Sequence, residues 1–136
     1  MSIKPEYAHA IFRGEKHFEF RRSIFRQPVD VIVVYMTNPV GMVFGEFEVR
    51  TIIRDTVGAL WNRTKSVAGI DKERFFKYFK GRAHGYAIQV GDIRTYQEPL
   101  RLDEHFGVKP PQSFLYLDDA SSNRRHQPGG QARQAQ

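Results

Sequence analysis

Lys16, Glu19 and Arg21 lie within six residues of one another, directly after Gly14, in the stretch Gly14-Glu15-Lys16-His17-Phe18-Glu19-Phe20-Arg21. Their chemistries are complementary. The guanidinium offers a planar fork of donors, the ammonium a mobile point charge, and the carboxylate an acceptor for an N–H group. Together they can hold a polar ligand. A desolvated lysine can also act as a base, and a cleft carboxylate with a raised pKa can serve in general acid–base catalysis. In an extended chain alternate side chains point to opposite faces. Phe18 and Phe20 then enter a core while His17, Glu19 and Arg21 share the other face. The plainer reading of that face is a solvated Glu19–Arg21 ion pair worth at most about 1 kcal/mol.

A second charged stretch is longer and less specific. Residues 61–82 hold Arg63, Lys65, Lys72, Arg74, Lys77, Lys80 and Arg82 against Asp71 and Glu73, with Trp61 and Tyr78 among them. Phosphate contacts from such a surface give salt-dependent, sequence-independent affinity, and exposed aromatics stack on bases. An ordinary solvated helix face with its aromatics in the core explains the stretch equally simply. The five histidines show no metal-ligand spacing, no glycine-rich phosphate loop occurs, and cysteine is absent. No metal and no cofactor are expected, and thiolate zinc sites and cysteine nucleophiles are excluded.

The elements that must position these groups are punctuated clearly. Pro5 suits a first helical position, and Tyr7, Ala8, Ile11 and Phe12 form an apolar stripe that Gly14 ends. A short strand precedes this helix. Residues 29–36 form a β-branched run typical of a strand covered on both sides. Asn38-Pro39-Val40-Gly41 is a turn, and 42–53 a long strand with Gly45 at a bulge or close approach. Thr56 caps a helix reaching about residue 67, with Leu60, Trp61, Thr64 and Ala68 on one face and Gly69 at its end. Asp71 caps the next, with Phe75, Phe76 and Phe79 buried and Gly81 as the stop. Residues 86–90 and 93–96 read as strands joined by a hairpin at Gly91-Asp92, and 113–117 as a late strand.

The predicted order is β-α-β-β-β-α-α-β-β-β. It indicates a mainly β, α+β fold: a small β-barrel with about three helices packed at its side or end. The chain has 136 residues, of which 21 are Lys or Arg and 15 Asp or Glu, for a formal charge of +6. That balance makes polyanions plausible partners. One folded domain over 1–117 is expected, followed by a disordered basic tail over 118–136 that has no large apolar residue. No apolar run approaches the roughly 18 residues that span a bilayer, and residues 1–4 do not begin a signal peptide, so no membrane partner and a cytoplasmic location are expected.

Gly14-x-Lys16-x-x-Glu19-x-Arg21 resembles the G-x-K-x-x-E-x-R signature of the ASCH domain. Ser2-Ile3-Lys4-Pro5, Gly45-Glu46-Phe47-Glu48-Val49, Phe75-Phe76-x-Tyr78-Phe79 and Pro110-Pro111-Gln112-Ser113-Phe114 resemble the same family, in order along residues 1–117. The resemblance implies a PUA-like barrel with a cleft between the first helix and the barrel, lined by the polar residues of the signature. It implies RNA, single-stranded nucleic acid or a nucleotide as the partner, and the label of transcriptional regulator often given to such proteins. Lys4 is expected at the cleft rim. Gln112 and Ser113 would lie where the barrel closes near the cleft, although no base stands beside Ser113 in the sequence to activate it. Tyr35 would present its hydroxyl to the cleft or serve as a core tyrosine.

Some members of that family are enzymes, so a hydrolase acting on a modified nucleoside or RNA through Lys16 and Glu19 is the alternative. One group removes an acyl group from a modified cytidine, and another is described as ribonucleases. The amidohydrolases carry Thr three residues after the signature lysine, where this chain has Glu19. They carry Glu just before their last helix, where Ala68 aligns here.

Overall fold

The computed structural model describes residues 1–101. The elements run β1 (Ser2–Ile3), α1 (Pro5–Phe12), β2 (Phe18–Arg21), β3 (Val31–Met36), β4 (Met42–Thr56), α2 (Val57–Thr64) with a 3-10 turn (Lys65–Val67), α3 (Lys72–Tyr78) and β5 (His84–Leu100). The five strands form one mixed sheet in the order β1-β3-β4-β5-β2, so the fold class is the α+β expected. β1 runs parallel to β3, and the other pairs are antiparallel. β1 and β2 occupy opposite edges of this sheet, yet Arg21 Nη2 donates to the Ser2 carbonyl at 2.7 Å. The sheet therefore coils until its two edges meet through a side chain.

The helix signals operate as read. Thr56 Oγ1 accepts from Ala59 N–H at 3.3 Å, and Asp71 Oδ1 from Arg74 N–H at 2.8 Å. Each bond satisfies a donor that the first helical turn leaves unpaired. Leu60, Thr64 and Ala68 are buried. One expectation fails beside them. Phe75 and Phe79, four residues apart, are fully buried, but Phe76 is 37% exposed and lies along the flank against Trp61. Adjacent helical residues do not share a face, and the i,i+4 pair takes the core.

The hairpin at Gly91-Asp92 is also corrected. β5 continues through both residues, because β4 offers fifteen residues of pairing partner alongside it. Phe47 pairs Ile93 and Val49 pairs Val90, so Gly91 and Asp92 together oppose Glu48 alone. A glycine-aspartate pair that could turn the chain here makes a bulge instead. Gly45 is the close approach expected: a Cβ there would stand 2.5 Å from the Arg94 carbonyl and 2.8 Å from the Phe12 ring. The late strand at 113–117 and the tail at 118–136 lie outside the described residues.

Two apolar clusters result. One joins α1 to β1, β3 and β4 around Ile11, Val34, Met36 and Phe47. The other joins β2 and β5 to α2 and α3 around Phe20, Leu60, Phe75 and Phe79. The seam between them is the feature that matters for function.

Candidate functional site

Lys16 is placed by backbone bonds before its side chain does anything. The N–H groups of Glu15 and Lys16 both donate to the Ala10 carbonyl, which folds the chain back beneath the end of α1. His17 then donates to the Val67 carbonyl and accepts from Val90 N–H, clamping the segment between α2 and β5. Lys16 is thereby only 2% exposed. Its Nζ donates to the Ala68 carbonyl at 2.6 Å and sits 4.8 Å from the Phe20 ring centre and 5.3 Å from that of Tyr7. Burial pushes the ammonium pKa down from 10.5 to about 8, and the Glu19 carboxylate offsets part of that fall.

Glu19 and Arg21 form an ion pair at 3.3 Å, with side chains 10% and 11% exposed. This is not the solvated pair of the plainer reading. Both charges have left water, so their geometry is held by the fold, and removing one would strand the other. Among the described residues Arg21 Nε is buried with no hydrogen-bond partner. An unmet donor at this depth is uncommon in folded proteins.

These groups open on one cleft of about 730 Å³ at the seam between the two clusters. That lies within the usual range for small-molecule sites. Lys4, Lys16, Glu19 and Arg21 all line it, as do Glu6 and Tyr7 of α1, Phe20 of β2, Ile70, and Arg74, Lys77 and Tyr78 of α3. Five cations face two carboxylates among these residues, so the cleft suits an anionic or acceptor-rich ligand. Tyr35 is not among its lining residues. It packs half-buried against the first cluster, and Thr37, two residues on, reaches the cleft instead. Gln112 and Ser113 lie outside the described residues.

Several lining residues carried weak sequence signals. Arg74, Lys77 and Tyr78 belong to the basic stretch, but nothing in the sequence separates them from Lys72 or Lys80. Gly69 matters for a different reason. It has φ +67°, and a Cβ on it would collide with Cβ and Cγ of Lys16. Ala68, placed by the resemblance where the amidohydrolases carry glutamate, abuts Lys16 through its carbonyl.

Lys16 thus lies buried between the first helix and an edge strand of an α+β sheet. The family model of the ASCH domain matches residues 1–110, and the chain belongs to this family. It is similar to the ASCH domain-containing ribonuclease of Zymomonas mobilis, 32% identical over 122 residues that make up 86% of this chain and 82% of that one. The crystal structure of ASCH from Zymomonas mobilis superimposes with a TM-score of 0.84 at 30% identity, covering 91% of this chain and 90% of that one. The chain is also 29% identical over 118 residues to a Ureaplasma parvum protein named ATP synthase subunit alpha, but spans only 15% of its length. Among the described residues no helix is long and apolar enough to cross a membrane.

Proposed function

We propose that this chain binds RNA or single-stranded nucleic acid, and that its cleft takes one nucleobase or nucleotide. The observation that carries this reading is the convergence of Lys16, Glu19 and Arg21 on a single hollow. Lys16 and Arg21 hold carbonyl or phosphate oxygens. Glu19 accepts from an exocyclic amine or ring N–H. Tyr7, Phe20 and Tyr78 give the flat ligand aromatic surfaces, and Lys4 adds a phosphate contact at the rim. Unpaired bases expose the edges such a site reads, whereas paired bases do not. The ribonuclease named among the relatives supports RNA as the class of ligand.

A second reading, RNA hydrolysis, has its own support. With a pKa of about 8, roughly a tenth of Lys16 is neutral at pH 7 and able to take a proton. Deacylation of a modified nucleoside has less support, because Ala68 brings no carboxylate to the lysine.

The two readings predict opposite pH dependence. A charged Lys16 that holds an acceptor is needed below its pKa. Affinity for a fluorescein-labelled pool of single-stranded RNA octamers is then flat to about pH 7 and falls as pH rises through about 8. A Lys16 that acts as base makes RNA turnover rise through the same window and level off above it. Fluorescence anisotropy reads the first, and chromatography of the incubated RNA the second. Log affinity is also expected to fall linearly with log salt. No binding of this RNA or of single-stranded DNA at low salt overturns the binding reading. Intact RNA after long incubation at high protein concentration overturns the hydrolytic one.

A further inference from the structure

The Lys16 group accounts for the floor of the cleft and leaves its mouth unexplained. Arg74 and Lys77 stand one helical turn apart on α3, and Lys4 precedes α1 across from them. All three are exposed and line the cleft. Lys4 and Lys77 form no ion pair among the described residues. Arg74 does. Its Nη1 lies 3.2 Å from Glu6 Oε2, which ties α3 to α1, and its Nε lies 3.5 Å from Asp71 Oδ2. The Tyr7 phenol, then Glu6, favour the charged guanidinium. The Tyr7 ring also lies beside Lys16 Nζ.

We propose that Arg74, flanked by Lys77 and Lys4, is the phosphate seat of this cleft, and that Glu6 occupies the seat until a ligand phosphate takes its place. The ligand is then a phosphorylated nucleotide or strand rather than a free nucleoside. This rests on reading the Lys16 group as the base site. The exchange is physically favourable. The Arg fork accepts carboxylate and phosphate by the same paired geometry, and phosphate has the greater charge. Glu6 and Arg74 side chains are 61% and 57% exposed, so the pair between them is weak and easily opened. Lys77 and Lys4 attract the incoming anion, against one negative charge each from Glu6 and Asp71 at the seat. Glu6 thus acts as a specificity-determining residue that sets how much phosphate adds to binding.

The test measures affinity by calorimetry for the four common ribonucleosides and their 5′-monophosphates. The monophosphate of the preferred nucleoside is expected to bind roughly tenfold or more tightly than the nucleoside. Arg74→Ala is expected to remove most of that ratio while leaving nucleoside affinity within about twofold, and Arg74→Lys to recover part of it. Glu6→Gln is expected to tighten monophosphate binding about three- to fivefold with no change for the nucleoside. Equal affinity for nucleoside and monophosphate overturns the proposal, and so does a Glu6→Gln variant that weakens monophosphate binding or shifts both ligands alike. Where mononucleotides bind too weakly to measure, the labelled RNA octamers serve as the probe. Unchanged octamer affinity in both Glu6→Gln and Arg74→Ala overturns the seat alone. Failure of the parent protein to bind the octamers overturns the cleft reading and the seat with it.

Discussion

Lys16→Met is expected to weaken RNA binding roughly a hundredfold while leaving the protein at least as stable at pH 7. The two halves of this result have one cause. Lys16 ionises at about 8 in the folded chain against 10.5 ordinarily, so folding disfavours its charged form. The folded state binds fewer protons than the unfolded state between these values. Stability therefore rises with pH across that window, and below it the full penalty, roughly 3 kcal/mol, is present. Methionine has similar length, carries no charge, and places sulfur against the Phe20 and Tyr7 rings. It leaves the Ala68 carbonyl without its donor, at a cost of about 1–3 kcal/mol. The balance at pH 7 lies between about zero and 2 kcal/mol in the variant's favour. It turns against the variant near pH 10, where the parent no longer bears the charge. Paired thermal melts of parent and variant at pH 7 and pH 10 read the difference. A variant less stable by about 2 kcal/mol or more at pH 7 would show that Lys16 is structural rather than held for the ligand. Binding loses a buried charged donor from the floor of the cleft.

The parts of this site that are legible from sequence are the local ones. Gly14, Lys16, Glu19 and Arg21 sit on one short segment, where strand alternation and turn chemistry act over a few residues. The buried faces of α2 and α3 are legible for the same reason, through the Leu60–Thr64 and Phe75–Phe79 spacings. Phe76 departs from expectation because three phenylalanines in a row of five satisfy composition but not helical angle. Gly91-Asp92 departs because a turn dipeptide becomes a bulge when a long partner strand runs past it, and that partner lies some forty residues earlier in the chain. Burial of the Glu19–Arg21 pair depends on β1 and β2 meeting across a coiled sheet, which no window of sequence displays. Selection of Arg74 and Lys77 from seven similar cations depends on how Phe75 and Phe79 seat α3. Where residues far apart in sequence decide an outcome, periodicity has nothing to report.

Gly69→Ala is expected to destabilise the fold by about 2–4 kcal/mol and to disturb the ligand site in the same stroke. Two separate penalties combine. At φ +67° a side chain strains the backbone, which accounts for roughly 1 kcal/mol. The new Cβ would also enter the space of Lys16 Cβ and Cγ and come within 2.9 Å of Cδ. These atoms are the root of that side chain, not its mobile end. The Lys16 backbone N–H is bonded to Ala10 and its Nζ to Ala68, so it is tethered at both ends. Overpacking such a place adds about 1–3 kcal/mol. Gly81→Ala is the control. Gly81 has φ +82°, and a Cβ added to it would meet nothing within 4 Å among the described residues, so it should lose only the backbone share, about 1 kcal/mol, and keep full RNA affinity. Relief of the Gly69 clash requires Lys16 to shift toward the open cleft, where water reaches its ammonium. Its pKa then climbs from about 8 back toward 10.5, a change that carbon-13 NMR of the lysine ε-methylene would follow directly. Equal losses in the two alanine variants, with the Lys16 titration unmoved, would mean that the glycine serves only the turn. Unequal losses with a displaced titration would mean that the turn after α2 holds the lysine in its slot, and so sets the charge that the cleft presents at neutral pH.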